Sequence, residues 1–181
     1  MNAWVLLLRG INVGGNHALR MSDLRALLAT LGVRNVASYI QSGNLVFTGV
    51  IDARNFGEIV EDEIEAQRGF RPRAMVFSRE NFGEIVAAYP WPDAFGDPTS
   101  GHIWFLAARP TAPDMDELGK LAASSERFRL TDSAFYLHAP DGIGRSKLAE
   151  KVERHVGVAA TARNLNTSLK LREMLEGLGE V

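Results

Sequence analysis

Trp4-Val5-Leu6-Leu7-Leu8-Arg9-Gly10-Ile11-Asn12-Val13-Gly14-Gly15-Asn16 is an apolar run that ends on an arginine and opens into a loop of glycine and asparagine. The unbroken hydrophobicity of Trp4 to Arg9 is that of a central strand covered on both faces. In the loop, Gly10, Gly14 and Gly15 permit positive φ and close approach of the backbone to a ligand, while Asn12 and Asn16 tolerate the same dihedrals and carry amide donors. The chain spends roughly twelve residues between Leu8 and a helix start near Ser22, where about 2 to 6 usually suffice. The glycine spacing matches neither the dinucleotide pattern nor the phosphate-loop pattern, so no named nucleotide motif is present. The loop is a candidate cradle, and the plain alternative is a turn that only reverses the chain.

Downstream, apolar periodicity and capping residues delimit the elements. Ser22 can cap a helix carrying Leu24, Leu27, Leu28 and Leu31, and Gly32 can close it. Val36–Ile40 and Leu45–Phe47 read as strands joined by Gln41-Ser42-Gly43-Asn44, with Gly and Asn supplying positive φ. Asp52 opens a helix with Phe56, Ile59, Val60 and Ile64 on its buried face; a strand at Arg71–Phe77 and a helix from Ser78 follow. Pro90 to Gly101 holds three prolines and two glycines and reads as a linker, with Trp91 and Phe95 pinning it.

The second half repeats that order. Ile103–Ala107 is a strand, Pro113 enters a helix with Met115, Leu118 and Leu121, and Arg127–Thr131 with Ala134–His138 form a hairpin. Ser146 caps a helix with Leu148, Val152, His155 and Val156 inward, Val158–Thr161 is a short strand, and Asn166 caps a last helix. Both halves spell βαββαβα. The expected fold is α+β, two tandem ferredoxin-like (βαββαβ) units, each with an extra C-terminal helix. The first occupies residues 1–89, the linker 90–101 and the second unit 102–181.

Composition sets the class. The 181 residues are 46% hydrophobic and 23% charged with a net charge of -2, an ordinary globular balance without the basic field that draws a protein onto nucleic acid or an anionic membrane. Lysine occurs only at Lys120, Lys147, Lys151 and Lys170, so the cationic groups are chiefly arginines, suited to bidentate contacts with carboxylate or phosphate. The absence of cysteine excludes disulfides, thiol nucleophiles and thiolate metal sites, and fits a cytoplasmic protein. The run Ala3–Leu8 is too short to span a membrane. The histidines His17, His102, His138 and His155 have no metal-ligand spacing.

Four segments carry a resemblance: Leu-Leu-Arg-Gly-Ile-Asn-Val-Gly-Gly (7 to 15), Tyr-Ile-Gln-Ser-Gly-Asn-Leu-Val-Phe (39 to 47), Ser-Lys-Leu (146 to 148) and Thr-Ala-Arg-Asn-Leu-Asn-Thr (161 to 167). They resemble the recurrent motifs of the DUF1697 family of bacterial proteins. The resemblance implies a two-part α+β fold and brings no assigned activity or cofactor. Its members usually have Trp where Leu165 stands and often Lys where Asn16 and His17 stand, so neither an aromatic stack nor a loop lysine carries over.

In a βαββαβ unit the loop after the first strand and the hairpin between the second and third leave the sheet at one end. Arg9, Gly10, Asn12, Gly14, Gly15, Gln41, Ser42 and Asn44 are then neighbours, and Ser146, Lys147, Arg163, Asn164 and Asn166 gather in the second half beside Arg145 and Thr167. These donors, with Asp141 the only carboxylate, point to a small anionic ligand such as a nucleotide or phosphorylated metabolite. No catalytic group is identifiable. Ser146 and Lys147 read first as a helix cap followed by a solvated lysine, and the acidic helix residues Glu58, Glu61, Asp62, Glu63 and Glu65 as a solvent face that pairs with Arg68, Arg71, Arg73 and Arg79. Nucleic-acid binding on a sheet face and a non-enzymatic interaction module using the second half are the alternatives.

Overall fold

A computed structural model describes residues 2–15 and 17–179. Asn16 lies outside the described residues. The chain is a mixed α/β protein with two four-stranded antiparallel sheets and six α-helices among the described residues. It divides into two compact units, residues 1–83 with 170–181, and residues 84–169.

In the first unit the strands are β1 (Asn2–Arg9), β2 (Arg34–Tyr39), β3 (Asn44–Gly49) and β4 (Arg73–Ser78), in the order β2-β3-β1-β4. The apolar run is, as its composition requires, the central β1, paired with β3 and β4 and buried from Val5 to Leu8. Leu6 and Leu8 on β1, with Leu45 and Phe47 on β3, meet the helices α1 (Met21–Thr30) and α2 (Ala53–Arg68) through Leu24, Leu28, Phe56, Val60 and Ile64. Each fully buried aliphatic or aromatic side chain contributes about 1.5–3 kcal/mol of transfer free energy, so this layer is the main stabilising feature of the unit. Residues 79–87 form α3 (Arg79–Ala87), whose first turn is capped by Ser78: its Oγ accepts from the N–H of Asn81 at 3.2 Å.

The second unit has β5 (Gly101–Leu106), β6 (Arg127–Leu130), β7 (Ala134–His138) and β8 (Ala160–Asn164) in the order β6-β7-β5-β8. Trp104, Leu106, Phe135 and Leu137 pack with Leu118 of α4 (Met115–Leu121) and with Leu148, Val152 and Val156 of α5 (Lys147–Val156). The last helix is α6 (Leu165–Gly177). The phenol of Tyr136 donates to the Ile85 carbonyl at 2.8 Å and that of Tyr89 to the Leu137 carbonyl at 3.0 Å; burial pushes Tyr136 up to about 12, so both act as hydrogen-bond donors. The proline-rich stretch contains a short 3-10 turn, Pro92–Gly96. Trp91 and Phe95 pack edge-on against Tyr89 at 5.5 and 6.2 Å, which is how that stretch is held. None of the described helices is long and apolar enough to cross a membrane.

The element order matches the sequence expectation, while several local assignments change. Ser22 lies inside α1, whose N-cap is Arg20 with no side-chain cap bond; Asn12 binds the backbone of Leu19 instead and fixes how the chain enters the helix. Ile59 and Met115 are exposed, 37% and 42%. Glu61 faces inward, 6% exposed, because its carboxylate accepts from the Ala74 N–H at 2.8 Å and pairs with Arg71 at 3.2 Å. Positive φ in the first hairpin falls on Ile40 (φ 50) and Gly43 (φ 75), leaving Asn44 to begin β3. The last helix is capped by Asn164, whose Oδ1 accepts from the Thr167 N–H at 2.8 Å, so Asn166 lies within the first turn.

Candidate functional site

In the first unit β1 delivers its loop to the sheet end at which β2 stops and β3 and β4 start, since Leu7 is opposite Asn44 and Arg9 is opposite Arg73. The Leu8 N–H donates to the Gly43 carbonyl at 2.8 Å. Asn12 joins loop and hairpin: its Nδ2 donates to the carbonyls of Leu19 at 2.9 Å and Gln41 at 2.7 Å, and its Oδ1 accepts from the Leu19 N–H at 2.8 Å. The Asn12 N–H closes the turn on the His17 carbonyl at 3.2 Å. His17 stacks on Phe70 with 4.5 Å between ring centroids, and its Nδ1 is 3.0 Å from the Gly10 carbonyl. His17 is therefore a brace for the loop.

Positive φ recurs at Gly10 (76), Asn12 (54), Gly14 (59), Gly15 (77) and His17 (54). Left-handed conformation costs a non-glycine residue about 1–2 kcal/mol, so Asn12 and His17 hold it through the bonds just described. A Cβ on Gly10, Gly14 or Gly15 would meet nothing within 4 Å. Packing does not demand glycine there. Arg9, Gly10, Gly14, Gly15 and Gln41 are all exposed.

Asn44 is fully buried and donates through Nδ2 to the Tyr39 carbonyl at 3.1 Å and Ser42 Oγ at 2.9 Å. It holds the hairpin together, as Asn12 holds the loop. The two asparagines thus spend their amides on the protein, while Arg9, Gln41 and the loop glycines are exposed residues. Two further features of this end carry no local sequence signal. Val13 and Ile40 are 69% and 50% exposed, and Arg73, which reads as a partner of the acidic helix, is opposite Arg9 instead. The other arginines of that cluster do find acids: Arg68 binds Asp23 at 2.6 Å, Arg71 binds Glu61, Asp62 and Glu65, and Arg79 reaches Glu80 at 3.8 Å. Arg68 uses an acid of α1 in place of α2, and Arg73 has no ion-pair partner among the described residues.

The second unit also brings its loop residues to one end, where Gly101 is opposite His138 and His102 opposite Asn164. Ser146 is buried and caps α5, its Oγ accepting from the Ala149 N–H at 3.0 Å, with Lys147 exposed beside it. Arg163 donates to Thr161 Oγ1 at 2.9 Å and to the Ala162 carbonyl at 2.7 Å, and burial lowers its pKa to about 10. Asn164 is a cap, and Asn166 gives its N–H to the Pro98 carbonyl at 3.3 Å. An open cleft of about 200 Å³ lies here, lined by Ser125, Glu126, Asp141, Arg145 and Ser146 among others. Asp141 accepts from Ser125 Oγ at 2.6 Å and Glu126 from the Ala123 N–H at 2.8 Å. With two carboxylates beside Arg145 the cleft is electrostatically mixed. Among the described residues no group of three or more His, Asp or Glu is placed to hold a metal.

A family model described as a protein of unknown function (DUF1697) matches residues 1–136. The structure is similar to that of the conserved bacterial protein SP0830 from Streptococcus pneumoniae, with a TM-score of 0.71 at 24% identity, over 96% of this chain and 98% of that one. At that identity the likeness is one of fold. No curated protein is detectably similar to the chain.

Proposed function

The chain belongs to the DUF1697 family of proteins of unknown function, and from that premise we propose that it binds a small anionic ligand, a nucleotide or phosphorylated metabolite, where the Arg9–Asn16 loop meets the Gln41–Asn44 hairpin. The observation that carries this reading is the Asn12 side chain, which locks an exposed loop of left-handed residues against the hairpin at 2.7 Å from the Gln41 carbonyl. Strained backbone persists where the surrounding structure over-determines it, and such places cluster at ligand sites. Arg9 supplies charge, Gln41 an orienting amide, and Gly10, Gly14 and Gly15 backbone donors. Asn12 and Asn44 position these groups. Ser42 Oγ accepts from Asn44 Nδ2 at 2.9 Å, and the cluster around Ser146, Lys147, Arg163, Asn164 and Asn166 is a secondary candidate whose polar groups are mostly engaged in capping and internal bonds.

We read each unit as ferredoxin-like with an added C-terminal helix, because both sheets take the same permuted order with every neighbour antiparallel. Residues 90–101 would be the covalent bridge between the two sheets, since the first sheet ends at Ser78 and the second begins at Gly101. A cytoplasmic site of action accompanies this reading.

The test is a thermal-shift screen of nucleotides, sugar phosphates and carboxylates on the wild type and on Arg9→Ala. A ligand at a hundred times its dissociation constant stabilises by about 2.7 kcal/mol. The reading expects at least one anion to raise Tm and Arg9→Ala to diminish the shift; no shift in the wild type, or a shift that survives Arg9→Ala undiminished, overturns it.

A further inference from the structure

We infer that Arg9 and Arg73 together form a two-arginine clamp for the dianionic terminal phosphate of a small soluble molecule. The inference rests on the proposed anion site and adds to it a second charged arm and a ligand class.

Arg9 and Arg73 are direct partners in the β1–β4 ladder. Residues opposite each other on an antiparallel pair share a face, with Cβ atoms about 4.5–5.5 Å apart. That face is opposite the α1–α2 core, because the intervening Leu8 and Ala74 belong to that core. Both arginines are exposed.

The entry of β4 is fixed independently of any ligand. Glu61 accepts from the Ala74 N–H and pairs with Arg71, which also binds Asp62 and Glu65. Glu61, Asp62 and Glu65 are therefore committed to Arg71 and to the strand start, and Arg73 projects from a strand held in place. Gly10, an exposed residue, follows Arg9 directly.

The geometry of the guanidinium sets the ligand class. Each planar fork takes two oxygens side by side. A carboxylate, with two oxygens and one charge, saturates one fork. A terminal phosphate offers three oxygens and two charges and can satisfy both forks at once, with an oxygen left for the glycine amides. A phosphodiester has two free oxygens and a single charge, so the clamp distinguishes a terminal phosphate from a nucleic-acid backbone.

The experiment is an NMR titration of the full chain, above the second ionisation of phosphate, with inorganic phosphate, dimethyl phosphate and acetate. It uses the wild type, Arg9→Ala, Arg73→Gln and Arg73→Lys. Phosphate is expected to saturate shifts of the amides of residues 9–15 and of the Arg73 side-chain Nε–H in the wild type. Arg73→Gln should weaken it about tenfold or more, the usual scale for a charge-assisted hydrogen bond, with Arg73→Lys between. Dimethyl phosphate and acetate should bind about tenfold more weakly than phosphate. An unmoved Arg73 Nε–H under saturating phosphate overturns the clamp without recourse to any variant. So does a phosphate affinity that falls in Arg9→Ala but not in Arg73→Gln, or acetate or dimethyl phosphate binding as well as phosphate; in those cases the anion site itself stands. If no anion of the three saturates shifts in residues 9–15, both the site and the clamp are overturned.

Discussion

Asn12 Nδ2 lies 2.7 Å from the main-chain oxygen of Gln41, and this bond ties a loop to a hairpin 29 positions away in sequence. The same side chain also exchanges two bonds with Leu19. One residue thereby sets the exit from β1, the entry to α1 and the position of the β2–β3 turn.

Asn12→Ala should accordingly be costly for an exposed position. It removes three hydrogen bonds, each worth about 1 kcal/mol net, and places alanine at φ 54. A loss of about 2–4 kcal/mol in urea unfolding is expected, with faster amide exchange at Leu19. Asn12→Gly relieves the dihedral and should recover only about 1 kcal/mol of that loss. Stability unchanged in Asn12→Ala would mean that the loop is held by other contacts.

The adjacency of these two segments was legible because it follows from strand order. Loop and hairpin share a sheet end in any βαββαβ chain. What was not legible depends on partners distant in sequence. Glu61 sits in a run of acids that looks solvated, and only the arrival of the Ala74 N–H and Arg71 makes its inward position favourable. Arg73 resembles its neighbours in sequence, yet strand register puts it opposite Arg9. Asn164 and Asn166 are equivalent as caps by composition, and β8 running to Asn164 selects the first. Ile40 carries a left-handed dihedral that its β-branched side chain disfavours, so no residue-type rule could have found it.

Two glycines at this end should respond differently to alanine. A Cβ at Gly43 would lie 2.7 Å from Leu8 Cβ and 2.9 Å from Ile11 Cδ1, at φ 75. Dihedral strain and overpacking together should cost Gly43→Ala about 2–5 kcal/mol. Gly14→Ala meets only the dihedral term, about 1–2 kcal/mol, since its Cβ has open space. Equal costs in a denaturant titration would refute the contrast. If the proposed site is correct, Gly14→Ala should also weaken anion binding more than its effect on folding would suggest.

At Glu61 the carboxylate serves a backbone donor and an arginine together. Glu61→Gln keeps an oxygen for the Ala74 N–H and loses the charge on Arg71; Glu61→Ala loses both and leaves a partly buried N–H unpaired. An unsatisfied buried donor costs about 1–3 kcal/mol, so Glu61→Ala should be less stable than Glu61→Gln by about that amount. Equilibrium unfolding of the two variants decides it, and a Glu61→Gln variant as unstable as Glu61→Ala would assign the whole effect to the ion pair.

His102 should make the protein acid-sensitive. It is 6% exposed on β5, its Nε2 has no hydrogen-bond partner among the described residues, and its ring lies 6.2 Å from that of Trp104. Burial pushes its pKa down to about 4, against the opposing pull of a hydrogen bond with the Thr99 backbone. The unfolded chain takes up this proton near pH 6.5, whereas the folded chain resists it until about 4. Above the upper value both states are neutral and the contribution of His102 is complete. As pH falls between the two values the unfolded state binds more protons, so stability declines through that window and levels off below it. His102→Phe keeps an aromatic ring beside Trp104 and removes both the titration and the unpartnered nitrogen. Tm measured across that pH range should fall less steeply for His102→Phe than for the wild type, with the two curves converging in slope at neutral pH. Parallel curves throughout would place the acid sensitivity in other groups and assign His102 an ordinary pKa.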